Sequence, residues 1–333
     1  MGLALRSRRF KEEVVDAERE AAVLERAGRL NLSLVEQSFG QQLLRTIIEE
    51  SKRLQGEARQ LVAFQGEHGA YGELAARQLA PEAAHAPCLE YVDVFDGVEE
   101  GYFDMGVVPV EHSLEGSVTQ VNDLLIKTRA SVVGELNVPV SHCLMAVEAS
   151  DYRELRVVYS HPEALAQCAG FIERLKLEPR PFYDTAGAAK MLARENPRAA
   201  AAIASPLAAE LYDLAILKEG IDDGPPSSTR FVQIAKKARK PVAGKCSIIF
   251  AAAHEAGSLF DVLRLFAESK INLTRIASTP RRDDPGNYNF FLDFEGSPKD
   301  DKIAKVLKAL ESKTIELKFL GNSAVDKGSD ATK

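Results

Sequence analysis

The segment Gly106-Val107-Val108-Pro109-Val110-Glu111-His112-Ser113-Leu114-Glu115-Gly116-Ser117-Val118 runs as an apolar strand over 105–110, ends on a carboxylate and passes at once into a Ser- and Gly-containing loop. A short apolar run bounded by turn residues marks a strand buried on both faces. A carboxylate closing such a strand is costly unless it is paired or used. Glu111 therefore reads either as half of a buried ion pair or as a functional group, and Ser113 and Ser117 are placed to offer hydroxyls and amides to a ligand.

The same unit recurs to either side. Candidate strands at 61–64, 156–159, 200–204 and 231–234 alternate with helical stretches such as 71–79 and 162–175. Strand, turn and helix in alternation predict an α/β domain over 61–235 with mostly parallel sheets, in which ligands bind where strands end and helices begin. Ser160 follows one strand and precedes a helix, where it can cap that helix and turn its N–H groups to an anion; Gln167 lies two turns further on the same face. Thr185 stands as a similar cap before the Ala-rich stretch 186–192. In Ser228-Thr229-Arg230-Phe231, Arg230 can hold a ligand's carboxylate or a structural one in bidentate fashion, and Phe231 reads as core.

Flanking this domain, residues 1–58 read as a helical segment, with Ser33 and Glu36 as a capping box and Asn31 in the turn before it. A basic Pro- and Gly-containing linker at 236–244 leads to a βαββαβ module at 245–320, and the polar tail 321–333 is expected to be disordered. The chain has 333 residues, 45% of them hydrophobic and 27% charged, with a net charge of −7. That charge gives no basic field for nucleic acid. Cys88, Cys143, Cys168 and Cys246 have no metal-ligand spacing and read as buried thiols in a reducing compartment, so no metal is expected. No apolar leader or membrane-length run is present, and the cytoplasm is the expected location.

Four stretches of the central domain resemble the prephenate dehydratases in the family's order. They are Gly66-Glu67-His68-Gly69-Ala70-Tyr71, the 106–118 segment quoted above, Tyr159-Ser160-His161-Pro162-Glu163-Ala164-Leu165-Ala166-Gln167-Cys168, and Ser228-Thr229-Arg230-Phe231. The resemblance implies a two-lobed, periplasmic-binding-protein-like domain that removes water and carbon dioxide from prephenate without a cofactor or metal. It implies Thr229, Glu111, Ser160, Gln167 and His112 as catalytic residues, and Arg230, Ser113, Ser117 and Thr185 as substrate-binding residues. A threonine hydroxyl is too weak an acid to act freely, so Thr229 is expected to serve as a polarised donor to the leaving hydroxyl. The family usually has Asn where His112 and Ser227 stand here. His can replace an amide donor, with an altered pH dependence as the expected consequence.

The N-terminal segment resembles the latter part of an all-helical chorismate mutase, through Ile47-Ile48-Glu49-Glu50-Ser51 and Gln55. That likeness implies Asp16, Arg19, Glu20, Ser51 and Gln55 as mutase-like residues. The family's long first helix has only about ten residues' worth of counterpart here, and only Arg6, Arg8 or Arg9 stand in for its cations, so weak or absent mutase activity is expected. The C-terminal module resembles the ACT domain that senses phenylalanine. Gly257, Ser258, Leu259, Asn272, Leu273 and Ser278 are its implied effector residues, although the family's Glu-Ser-Arg-Pro appears as Ala277-Ser278-Thr279-Pro280, with Arg275, Arg281 and Arg282 nearby. Side-by-side pairing of such modules implies a homodimer or homotetramer. The competing readings are a non-catalytic small-molecule binder, since an α/β cleft suits capture as well as catalysis, and a regulatory homologue without turnover.

Overall fold

Two helices, α1 (Ala17–Arg29) and α2 (Gln37–Gly56), precede the first strand in the computed structural model, which describes residues 16–29, 36–56, 59–148, 150–240, 242–281, 284 and 286–324. They pack on one another through a half-buried stripe that includes Leu24, Leu44 and Ile48, and Lys52 pairs with Glu20 at 2.6 Å. The adjoining face of α2 leaves Phe39, Leu43 and Ile47 exposed at helical spacing. Ser33, Asn31 and the arginines at 6, 8 and 9 lie outside the described residues.

The first lobe is built from β1 (Leu61–Gln65), α3 (Tyr71–Leu79), β2 (Ala84–Cys88), α4 (Tyr91–Glu100), β3 (Met105–His112), β4 (Gly116–Ser117), α5 (Thr119–Lys127) and β5 (Ser131–Val140). Strand β1 has a parallel neighbour on each side, β2 and β3. Helix α3 covers one of its faces, while α4 and α5 cover the other, so Leu61, Val62, Ala63 and Phe64 are all buried. A strand covered on both faces needs no alternation of polarity, which explains this unbroken apolar run.

After β5 the chain crosses into a second lobe comprising β6 (Cys143–Ala146), β7 (Val157–Ser160), α6 (Pro162–Gln167), α7 (Ala169–Arg174), β8 (Glu178–Pro181), α8 (Thr185–Glu195), β9 (Ala200–Ala204), α9 (Pro206–Tyr212) and β10 (Ala215–Glu219). Its sheet has the order β10-β6-β9-β7-β8. Strand β9 is Ala200-Ala201-Ala202-Ile203-Ala204 and fully buried, and its small side chains let the Ala-rich face of α8 lie directly on it. The chain then returns to the first lobe as β11 (Ser227–Ala235), inserted between β3 and β5. Gly69, in the left-handed region at φ +92°, seats the first lobe on the second: a Cβ there would lie 2.7 Å from the Cα of Ala208 in α9.

The C-terminal module runs β12 (Gly244–Ala251), α10 (Ser258–Glu268), β13 (Leu273–Pro280), β14 (Tyr288–Glu295), α11 (Asp301–Glu311) and β15 (Glu316–Ala324), the expected βαββαβ order. Its strands lie in the order β13-β14-β12-β15. The pairing of Gly321 with Val132 of β5 joins them to the first lobe's sheet, and a side chain at Gly321 would run into the Val132 carbonyl.

Several expectations are corrected. The sheets are mixed rather than mostly parallel: β1–β2, β1–β3, β7–β8 and β7–β9 are parallel, but β11 runs against β3 and β5, and β6 against β9 and β10. The antiparallel members include the strands that flank the two crossovers, a direction that periodicity does not encode. The helix expected over 162–175 breaks at Cys168, where φ is −114° and ψ is 17°. Residues 321–324, expected in the tail, belong to β15, and the rest of that tail lies outside the described residues. Strands β2 and β8 escaped notice because both contain proline, and β8, Glu178-Pro179-Arg180-Pro181, is an exposed edge.

Candidate active site

A cavity of about 560 Å³ lies between the two lobes. Five of the described helices begin at its wall: Tyr71 opens α3, Tyr91 opens α4, Val118 precedes α5, His161 caps the short α6, and Asp184 and Thr185 mark the start of α8. The N-terminal N–H groups of a helix carry partial positive charge and favour anions. No Lys or Arg is among the described residues that line the cavity; its other donors include Thr229, Gln167, Ser117 and the rings of His112, His142 and His161. Glu90, Glu115, Glu163 and Asp184 also reach the wall, so donors face acceptors across a small space. Among the described residues, no three His, Cys, Asp or Glu side chains are placed to hold a metal ion, and no helix is long and apolar enough to cross a membrane.

Thr229 is buried on β11, opposite His112 on β3 and Val138 on β5. The strand pairing therefore fixes the backbone of Thr229 and His112 as neighbours, and both line the cavity. Gln167 approaches from the second lobe, and its Nε2 donates to Glu115 Oε1 at 2.8 Å. Ser117 and Thr185 also line the wall. The cap of α8 is Asp184 rather than Thr185, with Asp184 Oδ1 accepting from the Gly187 N–H at 2.7 Å. Burial raises the Asp184 pKa, the Gly187 N–H opposes that rise, and the Glu67 carboxylate adds to it.

Four of the expected residues stand away from the cavity. Ser160 is fully buried, and its hydroxyl donates to the Ile203 carbonyl at 2.6 Å. Strand β7 runs through Ser160 and Pro162 takes the first helical position, so His161 becomes the cap of α6. Arg230 does not reach the cavity either. Its buried guanidinium is spent on Glu135 and Asp293, and Glu135 is shared with Lys245 at 2.7 Å. Of the two readings open for Arg230 in the sequence, the geometry supports the structural carboxylate, and it ties β11 to β14 of the C-terminal module.

Glu111 pairs with Arg275 at 3.1 Å, but its side chain is 40% exposed, so the pair is an ion pair at the surface rather than the buried one expected. Ser113 fastens the loop to β11: its N–H donates to the Ser228 carbonyl at 2.9 Å, and its Oγ accepts from the Ser228 N–H at 3.0 Å. Phe231 is buried in the core and touches the cavity wall.

Tyr71, Glu115, His142, His161, Tyr183 and Asp184 line the cavity without having been singled out in the sequence. Asp184 carried a usable signal, since Asp caps helices better than an adjacent Thr. His142 carried none, because it lies in the crossover between β5 and β6, two strands not foreseen. The four cysteines are buried and free, and burial pushes the Cys143 and Cys246 thiols up to about 11.

In the C-terminal module, a second cavity of about 370 Å³ is lined by Ser258, Leu259, His254, Asn287 and Tyr288 among others. Gly257 caps α10 beside it, whereas Asn272, Leu273 and Ser278 do not line it. Of the nearby arginines, Arg275 reaches Glu111 and Arg281 pairs with Glu316 at 3.2 Å; residue 282 lies outside the described residues. In the helical segment, Glu20, Ser51 and Gln55 are half-buried, while Asp16 and Arg19 are exposed and joined by a backbone hydrogen bond of 2.9 Å from the Arg19 N–H to Asp16 Oδ1.

Residues 62–239 match the family model for prephenate dehydratase, and residues 247–312 match that for the ACT domain. Arogenate dehydratase/prephenate dehydratase 2, chloroplastic, of Arabidopsis thaliana is 40% identical over 281 residues, covering 81% of this chain and 74% of that protein. The bifunctional chorismate mutase/prephenate dehydratase of Aquifex aeolicus is 37% identical over 312 residues, covering 92% of this chain and 85% of that one. A solved structure described as a novel type of quorum quenching acylase superposes with a TM-score of 0.74 at 31% identity, covering 80% of this chain and 98% of the other. The prephenate dehydratase of Arthrobacter aurescens, solved in complex with L-Phe, superposes with a TM-score of 0.73 at 29% identity, covering 79% and 90%.

Proposed function

Because the chain belongs to the prephenate dehydratase family and carries a C-terminal ACT domain, we propose that the cavity between its lobes is where it converts prephenate to phenylpyruvate. The enzyme is a carbon–oxygen lyase. In the reaction the electron pair of the ring-to-carboxylate bond moves into the ring as carbon dioxide leaves, hydroxide departs from the opposite carbon, and a proton converts it to water. The product ring is aromatic, so the protein's task is to hold the dianion and assist the departing hydroxyl.

The observation that carries this placement is a cavity where several helix N-termini and side-chain donors converge, with no Lys or Arg among the described residues that line it. Such a wall can bind carboxylates through N–H and O–H groups without burying a permanent countercharge. Thr229 is assigned to the leaving hydroxyl, Gln167 and Ser117 to polar contacts with the substrate, and the start of α8 at Thr185 to a carboxylate. His112 takes the place of an amide donor beside Thr229. Substitution of Thr229 by Ala tests the assignment: phenylpyruvate formation is expected to fall by about 100-fold or more. A variant that keeps its turnover would move the chemistry elsewhere.

The cavity beside Ser258 and Leu259 is the proposed site for a phenylalanine effector. Calorimetric titration with phenylalanine and tyrosine tests it, and loss of binding in Leu259→Arg is the expected result. The exposed Phe39, Leu43 and Ile47 of α2, together with Ile276 on the edge strand β13, support a homo-oligomer, to be checked by sedimentation. For the helical segment, weak or absent chorismate turnover is the expected assay result. Location in the cytoplasm and acceptance of arogenate are further readings, the second tested by supplying both substrates.

A further inference from the structure

The two crossovers between the lobes meet at His142. Its backbone N–H donates to Asp222 Oδ2 at 2.9 Å, and the Ile221 N–H donates to the His142 carbonyl at 3.1 Å. The side chain is buried, 3% exposed, yet it lines the cavity. Nε2 lies 3.0 Å from Gln167 Oε1, Nδ1 lies 3.3 Å from the Tyr71 hydroxyl, and the two rings meet edge-on with centroids 5.8 Å apart. Tyr71 donates its proton to the Ser141 carbonyl at 2.8 Å.

This arrangement gives Gln167 a direction. An amide presents an acceptor at one end and donors at the other, and only its partners decide which way it points. The Glu115 carboxylate, 2.8 Å from Gln167 Nε2, is an acceptor and demands the N–H end. The Oε1 end then needs a donor, and the Nε2–H of His142 is placed to supply it. Asp222 Oδ1, buried and without a hydrogen-bond partner among the described residues, lies 3.8 Å from Nε2 and places negative potential on that side of the ring. Burial lowers the His142 pKa, with Asp222 and Gln167 opposing. The neutral ring protonated on Nε2 still donates to Gln167.

We infer that His142 is a positioning residue for the dehydratase: by donating to Gln167 Oε1 it keeps the amide N–H of Gln167 aimed across the cleft. In the empty site that N–H serves Glu115; in the filled site it serves an oxygen of prephenate. The inference rests on the reading that Gln167 contacts prephenate. An apolar residue at position 142 would let Gln167 turn its carbonyl oxygen into the cleft, toward a dianion.

A double-mutant cycle on prephenate turnover tests this, using His142→Leu, Gln167→Leu, the double variant and His142→Gln, with Thr229→Ala as a control for the site. H142L is expected to lower kcat/KM by about 30-fold, a loss typical of one misdirected hydrogen bond to a charged group. H142Q, whose amide N–H can reach the place of Nε2, is expected to recover to within about threefold of wild type. The double variant should be no slower than Q167L alone. Losses that multiply in the double variant, a full rate in H142L, or an H142Q variant with wild-type thermal midpoint that stays as slow as H142L would overturn the proposal. Full turnover by T229A would instead bring down the site assignment itself, whatever the cycle gives.

Discussion

The role proposed for Thr229 depends on the strands around it, which bring its side chain to the cavity wall while engaging its neighbours elsewhere. Phe231 is core, Arg230 is paired, and Thr229 faces the space between the lobes. Thr229→Ser keeps a hydroxyl but loses the β-branch that restricts χ1, so it is expected to retain more turnover than T229A while falling about tenfold below wild type. Steady-state kinetics on both variants checks the ordering, and equal loss in both would point to packing rather than to the hydroxyl. Of the residues proposed from the sequence, Thr229, Gln167, His112 and Ser117, which lie in the quoted motifs, and Thr185, read as a helix cap, do line the cavity. The sequence did not separate them from Ser160 and Ser113, which occupy the same motifs but spend their hydroxyls on backbone groups. A one-residue shift in where β7 ends decides the fate of Ser160, and periodicity does not resolve boundaries that finely.

At the scale of elements, two buried carboxylate clusters hold the site's scaffold. Glu73 on α3 is 2% exposed; it accepts from the Gly69 N–H at 2.7 Å and from Arg77 at 2.8 Å, and lies 3.2 Å from His68. Burial by itself would raise its pKa, but His68, the Gly69 N–H and Arg77 outweigh burial and bring it down to about 2. A folded-state value below the unfolded one means that Glu73 stabilises the fold above pH ~4.5 and that this contribution is lost as the pH falls through the range toward ~2. Glu73→Gln is expected to flatten the acid limb of a thermal-melt series in that window, and an unchanged limb would contradict the assignment. At β11, Arg230→Met leaves Glu135 and Asp293 buried with less compensation and is expected to cost about 3 kcal/mol of stability. KM for prephenate should stay within about threefold of wild type, since Arg230 does not line the cavity. A large rise in KM without a loss of stability would restore the substrate-binding role.

Helix α3 at its observed bounds and the βαββαβ order of the C-terminal module were readable from the sequence, whereas β2, β4, β5, β6, β8 and β10 were not foreseen. Nor was strand direction. Apolar runs such as Leu61-Val62-Ala63-Phe64 report burial on both faces but not which way a neighbour runs. The return of the chain as β11 between β3 and β5 is a fact of long-range topology. Proline-bearing β2 and β8 were invisible for a local reason, their low strand propensity.

Across the whole molecule, the C-terminal module is bolted to the catalytic lobe at the back of the site. Arg275 of β13 reaches Glu111 at 3.1 Å and Ser117 Oγ at 3.3 Å, and Asp293 of β14 holds Arg230, the residue after Thr229. Ligand binding in the module can influence the cleft only through differential contacts of this kind. Arg275→Met is therefore expected to shift the phenylalanine concentration for half-maximal effect by at least about threefold, a coupling of ordinary size. An unchanged half-effect concentration would place the coupling elsewhere. The most direct test of the central claim is the rate at which the purified protein forms phenylpyruvate from prephenate, measured beside Thr229→Ala. Turnover by the wild type that falls by about 100-fold or more in T229A is the predicted result; no phenylpyruvate from the wild type, or equal rates from the two proteins, would contradict it.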